Sequence, residues 1–217
     1  MKRASKDPGL KNSFWLLVQI PHAARDASFS STLNDLGVCL PGEPTMIALG
    51  TAMSEALDRR VAGERPRTDL GEIAHLCALE SLQTIACKEI PDLFGTLEEK
   101  TRRALRGLSE PGPFSVLARD FFSRLQRRTL SYFLGRVLPD HVGDQKRFQT
   151  LRDLMEFEKA LDRHCWEASL IVQGYAAGWL SKAHSNDSLT ETSAQGFAAY
   201  ALEKICAELA QRRTLHA

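Results

Sequence analysis

The chain has 217 residues, of which 43% are hydrophobic and 25% are charged. Its 28 Lys and Arg nearly balance its 27 Asp and Glu, and the resulting net charge of +1 excludes a disordered acidic chain and disfavours a strongly basic nucleic-acid binder. A chain of this length removes roughly 70% of its unfolded surface from water on folding, so we expect a sizeable core without disulfides or metals to support it.

The cysteines and the apolar runs together predict a soluble protein of the reducing cytoplasm. An odd number of cysteines at irregular spacings argues against a disulfide framework, and no pair has the spacing of a structural zinc site. The apolar run 14–18 is broken by Gln19 and Pro21, so a secretory signal is not expected, and no run approaches the roughly 18 residues of a membrane span. We expect the thiols to fill the core, at Cys39, Cys77, Cys87, Cys165 and Cys206.

The N-terminal part of the chain is predicted to be less regular than the rest. The apolar run 14–20 is compatible with a buried strand or with a buried helical turn, and Pro21 is expected to end it. From Pro21 to Pro44 the sequence is rich in Ser, Asp, Asn, Gly and Pro, a connection longer than the loops of compact domains. We therefore predict an N-terminal arm over 1–43 and a helical bundle domain over 44–217.

Beyond Pro44, apolar residues recur at intervals of three and four, which is typical of amphipathic helices. Strands and helices do not alternate, so a doubly wound sheet is not expected. The sequence predicts an all-α fold, an irregular bundle of about six helices. The predicted helices run from 44 to 62, from 69 to about 90, from 97 to 108, from 114 to 138, from 151 to 179 and from 188 to 213.

The helix predicted over 151–179 has the most regular apolar stripe, as in a helix packed lengthwise against partners. About 30 residues at 1.5 Å each would span roughly 45 Å, more than a small bundle requires. Glu158 interrupts this stripe, so it either fixes the register of packing by pairing with an arginine of the preceding helix or reaches solvent. Gly174 and Gly178 predict a close helix crossing near Trp179, within the chain or with a partner.

A candidate metal site is suggested by Glu72 and His75, whose three-residue spacing places both on one helix face. Di-metal bundle proteins use two such Glu-x-x-His pairs, and the second pair is missing here. The ordinary interpretation is a surface glutamate beside a half-buried histidine. Because phosphate-binding loops, nucleophile elbows and dinucleotide fingerprints are also missing, we predict no catalytic residue and no cofactor.

Two further patterns remain open. Arginines on single helix faces form a possible phosphate-tracking surface, although interleaved acids favour a merely solvated face. The polar loop at Asp140 and His141 is either functional or an ordinary connection, with Asp140 or Asp144 capping the next helix. The arginines of the possible nucleic-acid surface are Arg102, Arg103, Arg106, Arg124, Arg127 and Arg128.

Strong packing signals without recognisable chemistry predict a non-enzymatic helical interaction or accessory subunit of a larger multi-protein assembly, with a protein partner or a second copy as its ligand. A nucleic-acid-binding accessory protein is the first alternative. A helical-bundle enzyme with a site around Glu72 and His75 is the second.

Overall fold

The computed structural model of the chain describes residues 4–42, 44–62, 68–88 and 96–215, with the backbone alone at 61 and 211–215. This part of the chain is 80% helical and contains no β-strand, which confirms the predicted all-α class. Its helices are α1 (Pro8–Ala23), α2 (Phe29–Asp35), α3 (Met46–Val61), α4 (Asp69–Lys88), α5 (Leu97–Leu108), α6 (Pro111–Leu134), α7 (Leu151–Ala168), α8 (Leu170–Ser185) and α9 (Glu191–Leu215).

The described residues therefore hold nine helices where about six were predicted. Two of the additional helices, α1 and α2, lie in the segment expected to be irregular, and the third arises because the helix predicted over 151–179 is divided in two. The predicted end of the helix that starts at residue 69, near residue 90, lies outside the described residues.

The apolar run near the N-terminus belongs to a full helix, α1. Asp7 caps it, since the Leu10 N–H donates to Asp7 Oδ1 at 2.9 Å, and Pro8 occupies the first turn, where a missing N–H costs no helical bond. The expectation that Pro21 ends this element is wrong, because the helix continues to Ala23. A proline in the last turn removes one helical hydrogen bond, and Ile20 and Ala23 on either side of it are buried.

Helix α1 lies at the centre of the fold and packs against α3, α4, α5 and α9. Phe14 is fully buried, and its ring centroid lies 5.6, 5.5 and 5.3 Å from those of Phe121, Phe122 and Phe197. Such aromatic clusters add about 0.5–1.5 kcal/mol per pair beyond the burial of area. The N-terminal segment thus shares one core with later helices, while the predicted domain boundary at residue 43 stays a prediction.

A close contact between backbones joins α1 to α4. A Cβ atom added at Gly9 would lie 2.6 Å from the Cα atom of Gly71, so the two backbones touch where neither residue has a side chain. The contact is reinforced by Thr68, which donates to Asp7 Oδ2 and accepts from the Gly71 N–H at 2.9 Å.

The connection predicted over 21–44 is partly helical, because α2 buries Phe29 and Leu33 against the core. Arg102 of α5 holds the turn before α2 by donating to the carbonyl oxygens of Ala24 and Asp26. The expectation of one long irregular connection is therefore wrong for residues 29–35.

The prediction of a continuous helix of about 30 residues is also wrong, because the chain turns at Ser169 between α7 and α8. The Ser169 hydroxyl donates to the Cys165 carbonyl at 2.7 Å and accepts from the Gln126 side-chain amide at 2.7 Å. Serine hydroxyls that bond the preceding turn are known to bend helices. The apolar stripe is thus shared by two helices.

Candidate functional site

The far end of the α6–α7 pair lies outside the core. We call residues 127–164 the hairpin extension; they comprise the end of α6, a 3₁₀ turn at Leu138–His141, the following loop and most of α7. Within this extension Phe148 is the one buried residue, whereas most residues of α6 from 114 to 126 are buried. This part of the two helices therefore contributes little to the core.

The extension has a defined structure at its distal end. The Phe148 ring packs on Phe157 with centroids 5.4 Å apart. The Phe148 N–H donates to the His141 carbonyl at 3.0 Å, and the Gly143 N–H donates to the Phe148 carbonyl at 2.9 Å. Gly143 has φ +135°, a conformation that favours glycine. These contacts fold the loop back onto α7.

Apolar side chains are exposed on both helices of the extension. Contacts from Arg119 to the Trp166 carbonyl and from Arg127 to Asp162 show that α6 and α7 run antiparallel, so the end of α6 lies near the start of α7. The exposed residues near this end are Phe133 (62% exposed), Val137 (50%), Leu151 (70%) and Met155 (56%). Apolar side chains clustered on a surface in this way are typical of interaction sites.

The base of the extension is fixed by polar contacts with α4. Arg128 forms an ion pair with Glu80, and the Tyr132 hydroxyl donates to Asp69 Oδ2 at 2.5 Å. Capping also orients α7, where Thr150 and Asp153 form a reciprocal capping box. The expectation that Asp140 or Asp144 caps this helix is therefore wrong. Asp140 and His141 are exposed in the 3₁₀ turn.

Glu158 is exposed on α7, which matches its solvent-facing interpretation. The arginines considered as its partners bond other carboxylates. Arg124 pairs with Asp120 at 2.6 Å and with Glu80 at 3.2 Å, and Arg127 pairs with Asp162, one turn beyond Glu158. Carboxylates of the same chain therefore neutralise these arginines.

The two glycines of α8 do not mediate a crossing within the described chain. Gly174 and Gly178 are exposed, and a Cβ atom added at either would meet no atom within 4 Å. Trp179 instead packs on Phe114 and Phe197, with ring centroids 5.8 and 4.6 Å apart. The prediction of a close helix crossing within the chain is therefore wrong, and the alternative, a crossing with a partner, stays a prediction.

Beside these glycines, α8 and α9 form an open groove of about 490 Å³. Four of its eight lining residues are aromatic, and Lys182 and Ser193 contribute polar side chains. The lining residues are Tyr175, Gly178, Trp179, Lys182, Ser193, Gly196, Phe197 and Tyr200.

The pair Glu72 and His75 lies on α4, as predicted. The structure adds Ser54 of α3, whose hydroxyl lies 2.8 Å from His75 Nε2. A serine and a histidine in hydrogen-bond contact resemble a nucleophile and its base. However, Ser54 sits in the middle of α3, where neighbouring N–H groups bond within the helix and do not stabilise an oxyanion. Among the described residues, no three His, Cys, Asp or Glu side chains converge to hold a metal ion.

The predicted nucleic-acid surface is largely used for internal contacts. Arg102 bonds backbone carbonyls, and Arg124, Arg127 and Arg128 form ion pairs. Arg103 and Arg106 are exposed on α5. Of the cysteines, Cys77 and Cys165 are buried as expected, but Cys39 and Cys87 are exposed, so the prediction of core packing is wrong for those two.

Comparison of the chain with protein-family models, with curated proteins and with solved structures found no match. Across the described ranges, each helix is too short or too polar to cross a bilayer.

Proposed function

We propose that the chain is a non-enzymatic helical interaction subunit that docks through the hairpin extension. The observation that carries this proposal is the exposure of Phe133, Leu151 and Met155 on two ordered helices outside the core, with Val137 exposed in the turn after α6. An exposed apolar side chain on a mobile terminus would mean little, whereas a fixed helical face offers a surface that a partner binds with little ordering cost.

The proposed occupant is the same face of a second copy. Helix α7 has 18 residues and is about 27 Å long, so α6 and α7 together present a face about 27 Å by 20 Å. Such a face covers about 540 Å², which is smaller than the roughly 800 Å² per partner of a standard stable interface and fits a weaker, concentration-dependent dimer. A twofold-related copy repeats the same face and closes the assembly as a dimer.

Charge also favours a second copy over a partner of one sign. Basic and acidic side chains are interspersed along α7, and those near the exposed apolar residues are Arg152, Asp153, Glu156, Glu158 and Lys159. A strongly acidic or strongly basic partner would meet like charges somewhere along this helix. In an antiparallel second copy, the acidic side chains of each helix can face basic side chains of the other.

The experiment measures the mass of the full chain by analytical ultracentrifugation over a range of concentrations. We expect a dimer for the wild type and a monomer for the double variant Leu151→Glu with Met155→Glu. The matched control is Ile47→Glu, since Ile47 is 79% exposed on α3, outside the extension. A monomeric wild type at high concentration, or a double variant that remains dimeric, would overturn the proposal.

The nucleic-acid alternative rests on fewer arginines than the sequence indicated. Of the six predicted, Arg103 and Arg106 are exposed on α5 and are the two that remain for this role. Its test is a gel-shift titration with single- and double-stranded DNA and RNA at low salt. This alternative requires binding that weakens steeply with salt and depends on these two arginines.

A further inference from the structure

Two histidines outside the hairpin extension lie side by side where the ends of two helices meet. His22 lies in the last turn of α1 and His184 in the last turn of α8, with ring centroids 5.2 Å apart and ring planes tilted by 32°. The Nδ1 atom of His22 and the Nε2 atom of His184 are both buried, and neither has a hydrogen-bond partner among the described residues. A buried ring nitrogen without a partner is costly, and an ion bound between the two rings would remove this cost at both atoms.

We infer that His22 and His184 form a two-histidine site for a borderline divalent cation such as Zn²⁺, Ni²⁺ or Cu²⁺. Imidazole nitrogen is a preferred ligand of these ions. A zinc–nitrogen bond is about 2.0–2.1 Å long and a ring nitrogen lies roughly 1.1 Å from its ring centroid, so tetrahedral coordination of one ion would place two centroids about 5.2 Å apart. The observed separation has this value.

The surroundings keep both rings in the metal-binding form. Burial lowers the pKa of His22, and His184 and then Arg25 lower it further, while Asp187 opposes them. Burial likewise lowers the pKa of His184, with Arg25 acting in the same direction and Glu110 against it. Neutral imidazole is the form that binds metal ions. The ends of two helices also meet here, and helix C-termini favour cations.

Arg25 limits the affinity of the site. Its guanidinium pairs with Glu110 at 3.2 Å. The positive charge of Arg25 therefore stays near the rings and repels a metal ion, and the Glu110 carboxylate is held by Arg25 and does not bind the ion. Because no third protein ligand is in place within the described ranges, water completes the coordination of the ion. Replacing Arg25 by Gln removes a positive charge and releases Glu110, and both changes should strengthen metal binding several-fold.

The test uses the full chain, stripped of metal with EDTA and dialysed, and titrates it with NiCl₂ or ZnCl₂ in a calorimeter at pH 7.5. We expect one ion per chain, binding weakened at least tenfold in His22→Gln and in His184→Gln, and binding unchanged in His141→Gln, a control on the exposed turn. Melting temperature should rise with metal in the wild type and in the control but not in the two variants.

Two results would overturn the inference. One is an absence of stoichiometric binding by the stripped wild type. The other is binding that survives both His22→Gln and His184→Gln. If His22→Gln fails to fold, His184→Gln and Arg25→Gln decide the question alone, since the first must weaken and the second must strengthen binding. None of these outcomes depends on the oligomeric state of the chain.

Discussion

The side-chain amide of Gln126 donates a hydrogen bond to the hydroxyl of Ser169 at 2.7 Å, and both residues are buried. Ser169 in turn donates to the Cys165 carbonyl at 2.7 Å. This chain of bonds lies where α6 leaves the core and where α7 gives way to α8. It therefore marks the boundary between the body of the fold and the hairpin extension.

Replacing Ser169 by Ala should destabilise the fold by about 1–3 kcal/mol, because the buried amide of Gln126 loses its side-chain acceptor. Chemical denaturation followed by circular dichroism measures the free energy of unfolding. Ser185→Ala is the matched control, since Ser185 makes the same kind of bond to the preceding turn, at 3.0 Å, but is exposed. Equal losses in the two variants would contradict the structural role assigned to Ser169.

Replacing Gly9 by Ala should lower the free energy of unfolding by about 1–3 kcal/mol, because the new methyl group would overlap the backbone of Gly71. Gly107→Ala is the control: its Cβ atom meets nothing within 4 Å, and alanine favours the helix by up to about 1 kcal/mol. Thermal denaturation of both variants checks the difference in sign. A Gly9→Ala protein as stable as the wild type would mean that α1 and α4 are farther apart than described.

Stability should fall as the pH is lowered below about 6.5 in the metal-free protein. The pKa values of His22 and His184 are both lowered from 6.5 in the folded chain, so the unfolded chain binds more protons in this range. The stabilisation is fully present above pH 6.5 and is lost as the pH falls through the folded pKa values. Urea denaturation between pH 7.5 and 5.5 measures this effect, which should shrink in a His22→Gln, His184→Gln double variant. An identical slope in both proteins would contradict the assignment.

The thiols should divide into two reactivity classes. Burial raises the pKa of Cys77 to about 12 and, together with Asp162, that of Cys165 to about 11, so neither forms the reactive thiolate at neutral pH. Cys39 and Cys87 are exposed. Brief treatment with N-ethylmaleimide, followed by peptide mass spectrometry, should modify the exposed pair first and the buried pair only after denaturation. Early modification of Cys77 would place α4 nearer to solvent than the structure does.

The sequence was a good guide where helices are amphipathic. Periodicity located α3 to α6 because each has one apolar face and one polar face. It missed α1 as a full helix, because that helix is buried on nearly all sides and contains Pro21, so neither periodicity nor proline position marks it.

Tertiary relationships account for what the sequence did not predict. Nothing local distinguishes Ser169 from the other serines until Gln126 is placed beside it. The apolar stripe of α7 was visible, but whether its residues face a core or solvent depends on where α6 extends beyond the body. The contacts of Ser54 with His75 and of His22 with His184 join residues far apart in sequence, so no local sequence motif predicts them.

Cross-linking across the proposed interface tests whether the hairpin extension pairs with its counterpart in a second copy. Met155→Cys is placed in a background in which Cys39, Cys87 and Cys206 are replaced by Ser, and the protein is treated with a short bismaleimide. We predict a covalent dimer at Met155→Cys and none at Ile47→Cys, a site outside the extension that is more exposed, at 79% against 56%. No dimer at Met155→Cys, or equal amounts of dimer at both positions, would contradict this pairing.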